Sequence, residues 1–176
     1  HRGHHALWGT DLSHVAQKSL LQKKIKFQEA DIEKTFPFNQ HFEIIILNVV
    51  IEHLLDPMSV LIGCKEHLSE KGKIILITPN SDFILLNIFR KFWDGINAPR
   101  HIVIFSYRSM EYLRRKLRFQ RLTFYPVANP MGWALSVQNF FQSIPFLRTS
   151  LKKGLAWYTL FLGIILLLSY SVNAAE

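Results

Sequence analysis

Phe42-Glu43-Ile44-Ile45-Ile46-Leu47-Asn48-Val49-Val50 is the stretch that decides the fold. Its unbroken apolar run predicts a strand over 42–50 buried on both faces, the habit of parallel rather than antiparallel sheets. Asp56-Pro57 then opens a helix, with aspartate at the cap and proline in the first turn, where its missing N–H does no harm. Met58, Leu61, Ile62, Lys65 and Leu68 would share one face of that helix, and Gly72 would close the turn after it. Ile74-Ile75-Leu76-Ile77-Thr78 reads as a second buried strand, stopped by Pro79-Asn80. Strand, helix and strand in this order make a right-handed parallel crossover the default, and the class α/β.

Working outward toward the amino end, Leu7-Trp8-Gly9-Thr10 reads as a strand ending at Asp11. Ser13 is placed to cap a helix carrying Val15, Ala16, Ser19 and Leu20. Ile25 to Gln28 alternates as a short strand ending at Ala30-Asp31, and 33–42 is a loop. In the other direction, Ser106 caps a helix whose core face is Met110, Leu113 and Leu117, and Phe119 to Val127 is a candidate strand. Asn129-Pro130-Met131-Gly132 breaks the pattern. The reading therefore divides the chain into an α/β domain, 1–128, and a hydrophobic helical extension, 129–176.

Length and composition limit the possibilities. The chain has 176 residues, 49% of them hydrophobic and 19% charged, which excludes disorder and suits one domain with an appendage. The single cysteine, Cys64, can build neither an intrachain disulfide nor a thiolate metal site, and points to a reducing compartment. His1, His4 and His5 look metal-like but lie at the terminus and receive no role, so no metal site is expected. The opening HRGHHALWG does not read as a signal peptide. The net charge of +8 sits almost wholly between Arg108 and Lys153, where nine basic residues face one acid, Glu111.

A basic stretch beside an apolar tail points to an anionic membrane surface, whereas no nucleic-acid motif accompanies it. From Leu155 to Val172 the tail is strongly apolar, and eighteen helical residues would span about 27 Å against the roughly 30 Å of a bilayer core. A crossing and a buried or interfacial hairpin helix both fit that length. The expectation is membrane contact through 148–172, in a cytoplasmic protein held at the cytoplasmic membrane face.

Three polar residues, Asp11, Asp31 and Asn48, fall where parallel strands should end. Ligands of open α/β sheets bind at that edge, and a carboxylate there can accept two hydrogen bonds from a ribose diol. Caps and turn formers occupy the same positions for purely structural reasons.

Gly9-Thr10-Asp11-Leu12-Ser13, Ala30-Asp31-Ile32-Glu33, Phe42 to Ile45 leading to Ile51-Glu52-His53-Leu54-Leu55-Asp56-Pro57, Gly72-Lys73, Thr78-Pro79-Asn80, Pro99-Arg100-His101 and Phe105-Ser106 stand in one order. That ordered set resembles the class I S-adenosylmethionine-dependent methyltransferases over roughly residues 7–125. The nearest branch includes ubiquinone-type and polysaccharide-cluster enzymes. The resemblance implies a Rossmann-like sheet with S-adenosylmethionine as cofactor. It matches Asp11, with Leu12 beside it, to the ribose contact, and Asp31 and Ile32 to the adenine contacts. Asn48 and Val49 match the border of the methionine portion. Glu52 and His53 follow on the side where an acceptor would enter. The acceptor would be a small-molecule, lipid-linked or glycosyl group.

Methyl transfer from a sulfonium asks mainly for alignment, with a neutral histidine as base where the nucleophile is a hydroxyl. His53 is the first candidate and His101 the second, beside the plainer reading of each as a hydrogen-bonded structural histidine. Family members also carry a glycine-rich turn after a first, central strand, about 20 residues before the position of Asp11. Only ten residues precede Asp11 here, so the expectation is a sheet lacking its first strand, in a chain cut at its amino end. Arg118 stands where the family usually places a helix-ending glycine. A non-catalytic membrane-associated binding protein on the same scaffold is the alternative, and a nicotinamide-dependent oxidoreductase ranks last.

Overall fold

The computed structural model describes residues 6–13, 15, 17–125 and 130–144. The expected 148–172 membrane segment, the rest of the extension beyond 144 and the terminal histidines lie outside the described residues. By compactness the chain divides into two units, His1–Thr78 and Pro79–Glu176. The composition change at 129, read above as a boundary, falls inside the second.

The first unit contains β1 (Trp8–Asp11), α1 (Gln17–Gln22), β2 (Lys26–Glu29), β3 (Phe42–Asn48), α2 (Pro57–Glu66) and β4 (Leu68–Ile77). All pairing is parallel, β1 with β2 and β3 with β4, in two separate two-stranded sheets. Among the described residues β1 and β3 therefore each pair along one edge only.

An aromatic cluster joins these sheets at the starts of their strands. Trp8 of β1 packs edge-on against Phe38 at 5.2 Å and Phe42 of β3 at 6.3 Å, while Phe36 stacks on the His67 ring at 4.0 Å. Edge-to-face ring pairs of this kind add about 0.5–1.5 kcal/mol each beyond the area they bury. The carboxyl ends of the strands are left to polar groups.

The expectation that β3 is buried on both faces is corrected. Only Leu47 is buried; Ile44 and Ile46 are 55% and 58% exposed, and Ile75, beside Ile46 in register, and Ile77, beside Asn48, are exposed as well. A two-stranded sheet has one face covered, here over Leu47, and nothing among the described residues covers the other. The strand also ends at Asn48 rather than Val50, because Val49 turns to φ 54°. Gly72 does not close a turn. It lies within β4 at a register irregularity, where an added Cβ would meet the Phe42 carbonyl oxygen at 2.9 Å.

Helix α2 starts as expected. Asp56 accepts from the Ser59 N–H at 3.1 Å with Pro57 in the first turn. The side-chain and backbone donors of Ser59 hold the Asp56 carboxyl below the usual carboxylate range. Its buried face is Val60, Leu61 and Cys64 rather than the stripe through Met58 and Ile62. Ser13 accepts from the Val15 N–H in a local turn, and α1 begins only at Gln17.

The second unit contains α3 (Ile84–Phe89), single 3-10 turns at Arg90–Phe92 and Asp94–Ile96, α4 (Tyr107–Lys116) and α5 (Pro130–Gln142). Ser106 caps α4 through a reciprocal pair with Ser109, and Met110 and Leu117 are buried. No strand forms over the described part of 119–127; among the described residues of this unit the parallel contact is a single bridge between Asn80 and Phe105. After α4 the chain reverses at Arg118, φ 55°, with Phe119 N–H donating to the Arg114 carbonyl. That six-to-one closure normally takes glycine at the left-handed residue.

Candidate functional site

The parallel pairs of the first unit bring the sequence-predicted residues to strand ends. Asp11 closes β1 and its carbonyl accepts from Ala30 N–H at 3.0 Å, so Asp31 follows at the same edge of the same sheet. Each carboxylate also folds back on its own turn. Asp11 Oδ1 accepts from Ser13 N–H at 2.8 Å, and Asp31 Oδ1 from Glu33 N–H at 3.1 Å. Asp31 further pairs with the exposed Lys34 ammonium at 3.3 Å. These bonds are the turn-forming role foreseen as the plain alternative. They use one oxygen of Asp11 and leave acceptor capacity on both groups, since an ionised carboxylate has about four lone-pair sites. Leu12 is exposed and Ile32 half-buried beside them.

At the end of β3, Asn48 is exposed and Val49 adopts a left-handed backbone conformation. A β-branched residue at positive φ is strained by about 1–3 kcal/mol, and such strain gathers at ligand sites. The Val49 N–H donates to the Ile77 carbonyl at 2.8 Å, which ties the turn to the end of β4. A 3-10 turn, Ile51–His53, comes next. It buries Glu52 completely and leaves His53 half-buried, with a Glu52 oxygen and a His53 ring nitrogen within 4.8 Å.

Glu52 Oε2 accepts from the Thr78 hydroxyl at 3.0 Å, whereas Oε1 is buried with no hydrogen-bond partner. Sequence reading placed Glu52 near the acceptor side and missed both its burial and Thr78. A contact 26 residues apart leaves no local pattern. Glu33 was missed in the same way; its carboxylate accepts from the N–H groups of Leu55 and Asp56 at 2.7 and 2.9 Å, fixing the loop before α2.

Family comparison fits this architecture. The sequence matches the methyltransferase domain family Methyltransf_23 over residues 2–121. The chain belongs to that family. Two solved structures share the fold of this methyltransferase domain. The YcgJ protein of Bacillus subtilis superposes with a TM-score of 0.52 at 16% identity, covering 82% of this chain and 65% of its own. A candidate methyltransferase of Bacillus halodurans C-125 gives 0.57 at 14% identity, covering 80% and 70%. The chain thus spans about two thirds of the length of these proteins. No curated protein matches the sequence. A Rossmann-like α/β fold is common to all three.

The second histidine candidate of this methyltransferase domain, His101, belongs to the second unit. Its Nδ1 lies 2.7 Å from the Gly95 carbonyl. A carbonyl only accepts, so Nδ1 is the donor in this contact. Asp94 nearby is partly buried, and burial raises its carboxyl pKa while the His101 charge opposes the rise. No helix among the described residues is long and apolar enough to cross a membrane.

Proposed function

We propose that the chain binds S-adenosylmethionine at the carboxyl ends of β1, β2 and β3 and serves transfer of its methyl group to a small-molecule, lipid-linked or glycosyl acceptor. The observation that carries the reading is the pairing of β1 with β2, which sets Asp11 and Asp31 at one sheet edge in a chain of the methyltransferase family. Asp11 would hold the ribose hydroxyls with its uncommitted oxygen, and Asp31 with Ile32 the adenine. Asn48 and the strained backbone of Val49 would border the methionine portion. The donor, when bound, supplies a methyl carbon already activated by its sulfonium.

The protein's share is then alignment of the acceptor and disposal of one proton. His53 would receive that proton; it is half-buried near Glu52, whose carboxylate would balance the imidazolium charge. We further infer that one more parallel strand pairs between β1 and β3. The edges of both strands that lack a partner among the described residues support it, because an open sheet edge presents a row of unpaired N–H and C=O groups, and the exposed Ile44 and Ile46 mark a face still to be covered. That strand would bring the glycine-rich turn for the cofactor, so residues 1–176 by themselves should bind it weakly.

Titration with S-adenosylhomocysteine, followed by NMR, tests the assignment. The expected result is weak, saturable binding with shifts near Asp11, Asp31 and Asn48. Asp11→Ala should lower the affinity at least about tenfold, the equivalent of one lost hydrogen bond to a charged group. Equal affinity in the variant would remove Asp11 from the site.

A further inference from the structure

We propose that the second unit carries a binding pocket for a neutral polyhydroxyl group, one sugar ring in size, built from Lys91, Trp93, Asp94, Asn97 and Asn139. The cavity they line measures about 260 Å³. That is just below the roughly 300–1,000 Å³ of sites for drug-sized ligands, and gives room for one ring rather than a chain.

Each polar member is anchored by its backbone or by one atom and keeps another uncommitted. Asp94 N–H donates to Ser136 Oγ at 3.0 Å, and Ser136, fully buried on α5, donates on to the Gly132 carbonyl at 2.7 Å. The Asp94 carboxylate itself accepts no hydrogen bond from the described residues. Asn97 is held at φ 29° with its carbonyl accepting from Arg100 N–H at 2.9 Å, while its carboxamide has no partner among the described residues. Asn139 spends one amide hydrogen on the Phe92 carbonyl at 3.3 Å and keeps its oxygen. The Lys91 ammonium rests over the Phe92 ring, 5.1 Å from its centre. Trp93 borders the cavity from a largely buried position and is itself fixed, since a Cβ added at Gly95 would stand 2.4 Å from its ring.

The balance of these groups selects the ligand. One ammonium and one carboxylate cancel, which disfavours phosphate, and a single carboxylate is too little for a hard cation. The lining offers both acceptors (Asp94, Asn97, Asn139) and donors (Lys91, Asn97), and a hydroxyl group is the ligand atom that both donates and accepts. Preorganised groups of this kind lose little entropy on binding. Binding here needs no methyl donor, so its failure and that of the methyl-transfer reading are separable.

The test is NMR and calorimetric titration of the whole chain with methyl glucoside, methyl galactoside and methyl rhamnoside, with glycine and inorganic phosphate as charged comparisons. At least one pyranoside should bind with a dissociation constant on the order of 1 mM and shift the Trp93 indole signal. Asp94→Asn should weaken it about tenfold, and Asn139→Ala, at an exposed position that leaves the fold alone, about fivefold. Three results would each overturn the proposal: no saturable response to any pyranoside, tighter binding of glycine or phosphate, or unchanged affinity in the Asn139→Ala protein.

Discussion

Replacing Thr78 by valine isolates the one described hydrogen bond to the buried Glu52 carboxylate. Valine keeps the shape of threonine and suits the end of a strand, so the change removes little beyond the hydroxyl. That hydroxyl donates to Oε2 at 3.0 Å, Oε1 has no partner, and the side chain is wholly inaccessible to water. A hydrogen bond to a charged group contributes about 1.5–3 kcal/mol, and here its loss leaves both oxygens unsatisfied. Thr78→Val should therefore cost about 2–3 kcal/mol, moving the urea midpoint down by about 1 M or more. In a Glu52→Gln background the same bond is between neutral groups, worth about 0.5–1.5 kcal/mol, so the second substitution should cost roughly 1 kcal/mol less. Urea unfolding of the four proteins of this cycle gives both numbers. A Thr78→Val protein within about 0.5 kcal/mol of the parent, or equal costs in the two backgrounds, would refute the assignment of Glu52 as a buried, singly partnered carboxylate.

Arg118→Gly should raise stability by about 1 kcal/mol in thermal or urea unfolding, because the φ of 55° after α4 costs arginine what it does not cost glycine. Hydrogen bonds from Arg114 and then Arg115 hold the Glu111 carboxyl at about 2, below its ordinary value of 4.5. A depressed carboxyl stabilises the fold above its unfolded pKa and loses that effect as pH falls through the folded value. The melting temperature of the parent should accordingly exceed that of Glu111→Gln at pH 6 and converge with it toward pH 2. Cys64 is buried and its thiol is pushed up to about 11 by that burial, so iodoacetamide at pH 8 should modify it only after unfolding; rapid reaction of the folded protein would contradict this.

What could be read from residues alone follows the range of the physics involved. Asp56-Pro57 and Ser106 announced α2 and α4 because caps act within one turn. The apolar runs at 42–50 and 74–78 announced β3 and β4 because period and composition are local. The same runs misjudged burial, since Ile44 and Leu47 look alike in sequence and differ only in which face of the sheet is covered. The first half of β4, Leu68 to Lys73, is too polar to read as a strand and is held by pairing with Phe42. For the candidate site, strand ends could be named, and Asp11, Asp31, Asn48 and Val49 do stand there. The bonds that give those ends their character, Thr78 to Glu52 and Glu33 to the backbone of residues 55 and 56, join positions more than twenty residues apart. Nothing in residues 91–98 marked them as a pocket wall.

The strand ends of the first unit divide stability from chemistry. At the starts, Trp8, Phe36, Phe38 and Phe42 pack together and link the two parallel pairs. At the finishes stand two carboxylates with spare acceptor capacity, a valine in a conformation valine resists, and a buried glutamate half satisfied. Each of the last two is unfavourable taken alone, and each persists because its neighbours are over-determined. Val49 is pinned by Ile77, and Glu52 is held by the Thr78 hydroxyl. A chain selected only for stability would relieve both with a glycine at 49 and an apolar residue at 52. Both stand on the edge where open α/β sheets take ligands, the edge at which the methyl donor is proposed to bind.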